Sequence, residues 1–142
     1  MQEDIKLHDI VIATSACSES SINDNLFANI NFSPTPDFDL MLETYNKSIE
    51  LGYTTHCGQV HSSDQFYNEL PEGVFENMKK YGVLCVEMES YGLFMAARKY
   101  GKKGLGIFTI SDSLVENVAD SAENREKSYT NMMTLALEVA HE

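Results

Sequence analysis

The stretch Val83-Leu84-Cys85-Val86-Glu87-Met88-Glu89-Ser90 decides how the chain is read. Its apolar run has the pattern of a strand buried on both faces, and it breaks off into acidic and hydroxyl residues. Further on, Ile107-Phe108-Thr109-Ile110-Ser111-Asp112 repeats the same design. In an open parallel sheet, ligands bind outside the carboxyl ends of the strands. Two such endings in successive βα units therefore predict one shared pocket.

Working outward, Asp9-Ile10-Val11-Ile12-Ala13-Thr14 is a β-branched run and predicts a first strand after a short polar leader. The Ser- and Asn-rich segment from Ser18 to Asn31, followed by Ser33-Pro34-Thr35-Pro36, predicts a long surface loop that folds over a site or a subunit boundary. Asp37 is placed to cap a helix, in which Phe38, Met41, Leu42, Tyr45 and Ile49 recur at helical spacing until Gly52. Tyr53 to Val60 predicts a second strand, leading into the polar loop Gly58 to Asp64. A helix from Pro71 packs Val74, Phe75 and Met78 inward and stops at Tyr81-Gly82. The third strand, Val83 to Met88, runs directly into a helix carrying Tyr91, Leu93, Phe94, Met95 and Ala97, which Gly101 ends. Gly104 to Ile110 is the fourth strand, followed by an acidic connector to Asp120. The last helix starts near Ser121 and buries Ala122, Tyr129, Met132, Met133, Ala136, Val139 and Ala140. Strands alternating with helices predict an α/β fold with a mainly parallel sheet and right-handed crossovers. The first strand comes so early that the opening residues read as the middle of a larger domain.

With 142 residues the chain is one domain by length, and a domain of this size buries roughly 70% of its unfolded surface. The formal net charge of −12, from 22 acidic and 10 basic residues, argues against nucleic-acid and anionic-membrane partners, which are bound through Lys and Arg clusters. The tight basic groups, Lys79-Lys80, Arg98-Lys99 and Lys102-Lys103, fall at predicted helix ends, where they complement the helix dipole. Arg98 and Arg125 are the only arginines, so bidentate recognition of an anion comes from one of them or from another chain. Cys17, Cys57 and Cys85 lie widely spaced in apolar runs and read as buried thiols. No charged-then-apolar leader opens the chain, and no apolar run approaches the ~20 residues that cross a bilayer. The default expectation is a cytoplasmic protein.

Each residue that could carry chemistry has a plainer reading beside the functional one. Glu87 and Glu89 at a strand-to-helix junction cap the helix; alternatively, two carboxylates around Met88 suit a sugar, accepting from its hydroxyls while the thioether covers its apolar face. Ser111-Asp112 is an Asx turn leaving the sheet, or Asp112 is a partly desolvated general acid. Arg125, in the first turn of the last helix, is a surface ion pair with Glu123 or Glu126, or it is functional. His61 is a loop histidine or a base. No His or Cys spacing fits a metal site, and no glycine-rich loop cradles phosphate.

Val86-Glu87-Met88-Glu89, Thr109-Ile110-Ser111-Asp112, Lys6-Leu7-His8-Asp9-Ile10-Val11, Ser63-Asp64-Gln65-Phe66-Tyr67 and Tyr129-Thr130-Asn131-Met132-Met133 together resemble the hexameric, bacterial type of purine nucleoside phosphorylase. The resemblance covers essentially the whole chain with the spacing between motifs kept. It implies a three-layer αβα fold of the phosphorylase/hydrolase-like kind with a mixed, mainly parallel sheet. Residues 1–142 then form a single but incomplete domain, the C-terminal portion without the earlier strands that carry the family's phosphate-binding glycine and arginines. The implied activity is reversible phosphorolysis of purine nucleosides to free base and (deoxy)ribose 1-phosphate, with phosphate as co-substrate and no cofactor or metal.

By the same resemblance, Asp112 is the general acid that protonates the purine and Arg125 swings in to assist. Glu89 bonds the ribose hydroxyls, Met88 packs on the sugar, and Val86, Glu87 and Ser111 line the base and sugar pocket. His61 stands where the family usually places a Phe stacked on the base, and Ser113 stands where His is common. The implied partners are nucleoside, phosphate and further copies in a homo-oligomer. Two alternatives accompany this reading: a nucleosidase of the same superfamily, which uses water and needs no phosphate site, and a truncated, non-catalytic subunit that binds nucleoside or only assembles. Uridine phosphorylase fits less well, because it lacks the Ser-Asp pair suited to a purine leaving group.

Overall fold

A computed structural model describes residues 1–28, 30–66, 70–115, 118–121, 123 and 129–140. Strand β1 (Ile10–Cys17) pairs in parallel with β2 (Thr55–Ser62) and antiparallel with β4 (Ile107–Thr109), and β2 pairs in parallel with β3 (Val86–Glu87). The four strands lie in the order β3-β2-β1-β4, so the sheet is mixed and β1 sits inside it. A two-stranded ribbon, β5 (Asp112–Ser113) with β6 (Val118–Ala119), follows β4.

Alternation along β1 builds the layers. Ile10 and Ile12 point to one side and pack with Leu135, Met41, Tyr53, Leu105 and Ile107. Two helices cover that side: α2 (Phe38–Glu50) and α5 (Thr130–Val139). Val11 and Ala13 point the other way, into a cluster with Val60, Cys85, Tyr91 and Phe94 under α4 (Ser90–Lys99). The β1–β2 register shifts between Ala13 and Ser15. That bulge resets the period of two, so Ala16, not Ser15, returns to the α4 side. The result is a helix–sheet–helix sandwich, as the sequence predicts.

Several expectations change in detail. The long loop before α2 contains a short helix, α1 (Ile22–Phe27), and its prolines are not surface features: Pro34 and Pro36 are buried, and the Pro34 carbonyl accepts from Ala16 N–H at 3.2 Å. Only Val86–Glu87 is regular in the third strand. Its pairing begins earlier, however, with Leu84 N–H bonded to the Gln59 carbonyl and His61 N–H to that of Cys85. In α2, Asp37 caps as predicted, accepting from Leu40 N–H at 3.0 Å, but the buried contacts are made by Thr44 and Ser48. Their hydroxyls turn back onto the Leu40 and Tyr45 carbonyls, which lets the helix lie close to its neighbours. Phe38, Leu42, Tyr45 and Ile49 are consequently exposed. Helix α3 (Val74–Lys80) fully buries none of its residues. Helix α5 buries Leu135 and Val139 and exposes Met133; the sequence predicts its start near Ser121, which is not helical, and Ala122, predicted on its buried face, lies outside the described residues. Cys85 is buried as expected, whereas Cys57 is exposed because β2 is covered only toward its carboxyl end. Among the described residues no helix is long and apolar enough to cross a membrane.

Candidate active site

Because β3 and β4 run in opposite senses, their carboxyl ends do not share one edge of the sheet. The shared pocket forms nonetheless. Although β3 and β4 are the outer strands of the four, both line one cavity of about 620 Å³, so the sheet curls to bring its margins together. Cys85 to Glu89 form one wall and Phe108 to Leu114 the other, with Met1, Ile5, Ser63, Gln65, Phe66 and Phe75 completing it. Val86, Glu87, Met88, Glu89, Ser111 and Asp112 are thus gathered in one place.

Glu87 does two things. Its Oε2 accepts from Glu89 N–H at 2.8 Å and Ser90 N–H at 2.7 Å, capping the first turn of α4. Its Oε1 is buried and has no hydrogen-bond partner among the described residues, as is also true of the Thr109 hydroxyl in the opposite wall. Buried polar atoms without partners are costly, and in a cavity wall they mark places where a polar ligand is rewarded. Val86, Met88 and Glu89 are exposed to the cavity mouth, and Glu89 makes no side-chain cap bond to α4. The capping explanation therefore belongs to Glu87, while the Glu89 carboxylate, exposed at the mouth, accepts from Met88 N–H at 3.3 Å through Oε2.

Asp112 is exposed, not partly desolvated as its sequence context suggests, since in the β5–β6 ribbon it is Ser113 that turns inward. The Ser111 hydroxyl donates to Asp112 Oδ2 at 2.5 Å. Arg125 lies outside the described residues. Arg98, in the last turn of α4, ties that helix to the segment before α2, donating to the Pro36 carbonyl at 2.8 Å and to Thr35 Oγ1 at 3.2 Å. Among the described residues none lining the cavity is a lysine or an arginine. Burial, assisted by the Glu87 carboxylate, pushes the Cys85 thiol up to about 12, so it serves the wall as an apolar group.

His61 is absent from the lining. It is 1% exposed, edge-on to Phe75 at 6.5 Å between ring centres, with its Nε2 2.8 Å from Glu19 Oε2. It stands behind the wall that Phe75 forms. Glu19, which the sequence did not single out, organises this region. Its Oε1 accepts from the Ser63 hydroxyl at 2.9 Å and from Asp64 N–H at 3.0 Å, fixing the loop that carries Ser63, Gln65 and Phe66. Burial alone would raise the Glu19 carboxyl. Hydrogen bonds from its own backbone, Asp64 N–H, Ser63 and His61 outweigh that and hold it at about 2. Nothing in the sequence singles out Glu19: only the parallel pairing of Cys17 with His61 sets this acid, just past β1, beside the histidine near the end of β2.

A family model for the phosphorylase superfamily matches residues 1–141. The chain belongs to that superfamily. Among its curated relatives, the DeoD-type purine nucleoside phosphorylases of Caldanaerobacter subterraneus subsp. tengcongensis and Thermoanaerobacter pseudethanolicus are each 44% identical over 140 residues, and that of Listeria monocytogenes serotype 4b is 40% identical. Each match takes in 99% of this chain and 59–60% of the relative, whose C-terminal portion it is. The chain spans about 60% of the length of the curated relatives it matches.

Proposed function

We propose that this chain supplies the nucleoside-binding and leaving-group-activating part of a purine nucleoside phosphorylase. The observation that carries the reading is the convergence of the Glu87–Glu89 and Ser111–Asp112 segments on one cavity. Cleaving the bond between C1′ and the base builds positive charge on the ribose and negative charge on the purine. Glu89, with Met88 beside it, holds the sugar hydroxyls. Asp112 gives its proton to the purine as the bond breaks, and Arg125 assists that transfer. A phosphate oxygen takes the place of the base at C1′, so the products are free purine and ribose 1-phosphate. Phosphate is a co-substrate, no cofactor or metal takes part, and the protein works as a cytoplasmic homo-oligomer.

A second reading, in which water replaces phosphate and the chain acts as a nucleosidase, is favoured by a cavity wall that holds no lysine or arginine among the described residues. Release of purine from inosine and adenosine, measured with and without phosphate, separates the two. Phosphate-dependent release is the expected result. Equal release without phosphate favours the nucleosidase, and no release in either arm rules out both for this chain by itself.

A further inference from the structure

His8 is one of two described non-glycine residues with positive φ, at 71°, a conformation that strains a side chain of its size. Part of the cause is local, since His8 lies in a turn closed by Asp9 N–H donating to the Lys6 carbonyl at 3.2 Å and by Lys6 N–H donating to Asp9 Oδ2 at 2.9 Å; the remaining contacts lead to the Ser111–Asp112 segment. His8 N–H donates to the Ile110 carbonyl at 2.9 Å, and Ile110 N–H donates to that of Asp9 at 3.0 Å, closing the end of β4 onto the start of β1. The His8 ring reaches past this pairing, with Nε2 3.2 Å from Asp120 Oδ2. The Asp120 side chain is only 5% exposed and also accepts from the Tyr129 hydroxyl at 3.3 Å and Ser121 N–H at 2.9 Å. The Tyr129 ring meets His8 edge-on at 5.9 Å. Asp120 N–H donates to the Ser111 carbonyl at 2.8 Å.

Ser111 and Asp112 are therefore gripped from both sides. Ile110, before them, is bonded to the backbone of residues 8 and 9, and the Ser111 carbonyl is bonded to a residue held by the ring of His8. We propose that His8, Asp120 and Tyr129 form a clamp that fixes the β5–β6 ribbon and so sets the position of the Asp112 carboxyl against the cavity. They are positioning residues, touching no substrate themselves. The role assigned to Asp112 rests on the function proposed above; the clamp itself does not.

The test measures amide hydrogen exchange and steady-state kinetics on the full chain. In Asp120→Asn, amides of residues 111–113 and 118–120 exchange about tenfold faster or more, while those of β1 and α4 do not change. Cleavage loses kcat with KM nearly constant, because binding survives and alignment does not. His8→Gly loosens the same amides and lowers kcat while thermal stability holds or rises, since glycine relieves the strained φ. A purely structural role would instead make stability and activity fall together. His8→Asn, which tolerates the left-handed conformation and keeps a donor, restores part of both readouts. Unchanged exchange at residues 111–113 in both Asp120→Asn and His8→Gly overturns the clamp. A wild-type chain that releases no purine, but whose ribbon loosens in these variants, sinks the enzymatic reading and supports the clamp.

Discussion

Asp112 and Glu19 are both carboxylates, yet their surroundings give them opposite duties. Asp112 lies exposed at the cavity, with its Oδ2 accepting from the neighbouring Ser111 hydroxyl. Asp112→Asn is expected to abolish purine release from natural nucleosides while leaving nucleoside-induced thermal stabilisation nearly intact. An equal loss of binding would remove the general-acid assignment. Glu19 is structural. Its carboxyl, held at about 2 against an ordinary 4.5, contributes stability that is complete above 4.5 and is lost as pH falls from there toward 2. Glu19→Gln should destabilise the chain by about 1–3 kcal/mol at neutral pH, since His61, Ser63 and Asp64 keep only part of their acceptor. The variant should also show a shallower fall of melting temperature between pH 5 and pH 3. A melting series across that range in both proteins checks the sign, and parallel curves would show that another group governs the acid limb.

At the scale of elements, what the sequence made legible was whatever local chemistry determines. The Asp37 cap, the stops at Gly52, Gly82 and Gly101, each with positive φ, and the order of strands and helices all follow from residues acting on their immediate neighbours. The candidate site was legible as two strand endings for the same reason. What escaped was set by contacts distant in sequence. That β4 runs antiparallel along the edge of β1 is not encoded in its apolar pattern, and the inner side of α2 depends on small hydroxyl residues that carry no apolar signal. The Glu19–His61 pair exists only once β1 and β2 lie side by side. Phe94 is a case in which pattern and packing agree. It is fully buried at the centre of α4, and Phe94→Ala should cost about 3–5 kcal/mol, measurable by denaturant unfolding. A cost under about 1 kcal/mol would mean that α4 packs more loosely than described.

The molecule as a whole presents apolar surface that its own fold does not cover. Phe38, Leu42, Tyr45 and Ile49 follow one another along the outer side of α2, and Leu137 and Met133 are exposed on α5, which packs beside it. Apolar surface of this kind on a helix pair marks a place of association. Size-exclusion chromatography with light scattering should give a mass above that of a 15.9 kDa monomer, and Leu42→Lys with Ile49→Lys should shift it downward. A wild-type chain that runs as a stable monomer would count against the oligomer.

The interior position of β1 bears on time as well as on structure. Ile10 pairs with Thr55 on one side and with Thr109 on the other, so β1 waits for β4, far along the sequence, before both its margins are satisfied. Until β4 arrives, the apolar Ile10–Ala13 run is open along one edge, and closing it takes a contact spanning most of the chain. Pairings so distant form slowly. Through that interval β1 offers a chaperone, or a misdirected second chain, an unpaired apolar edge.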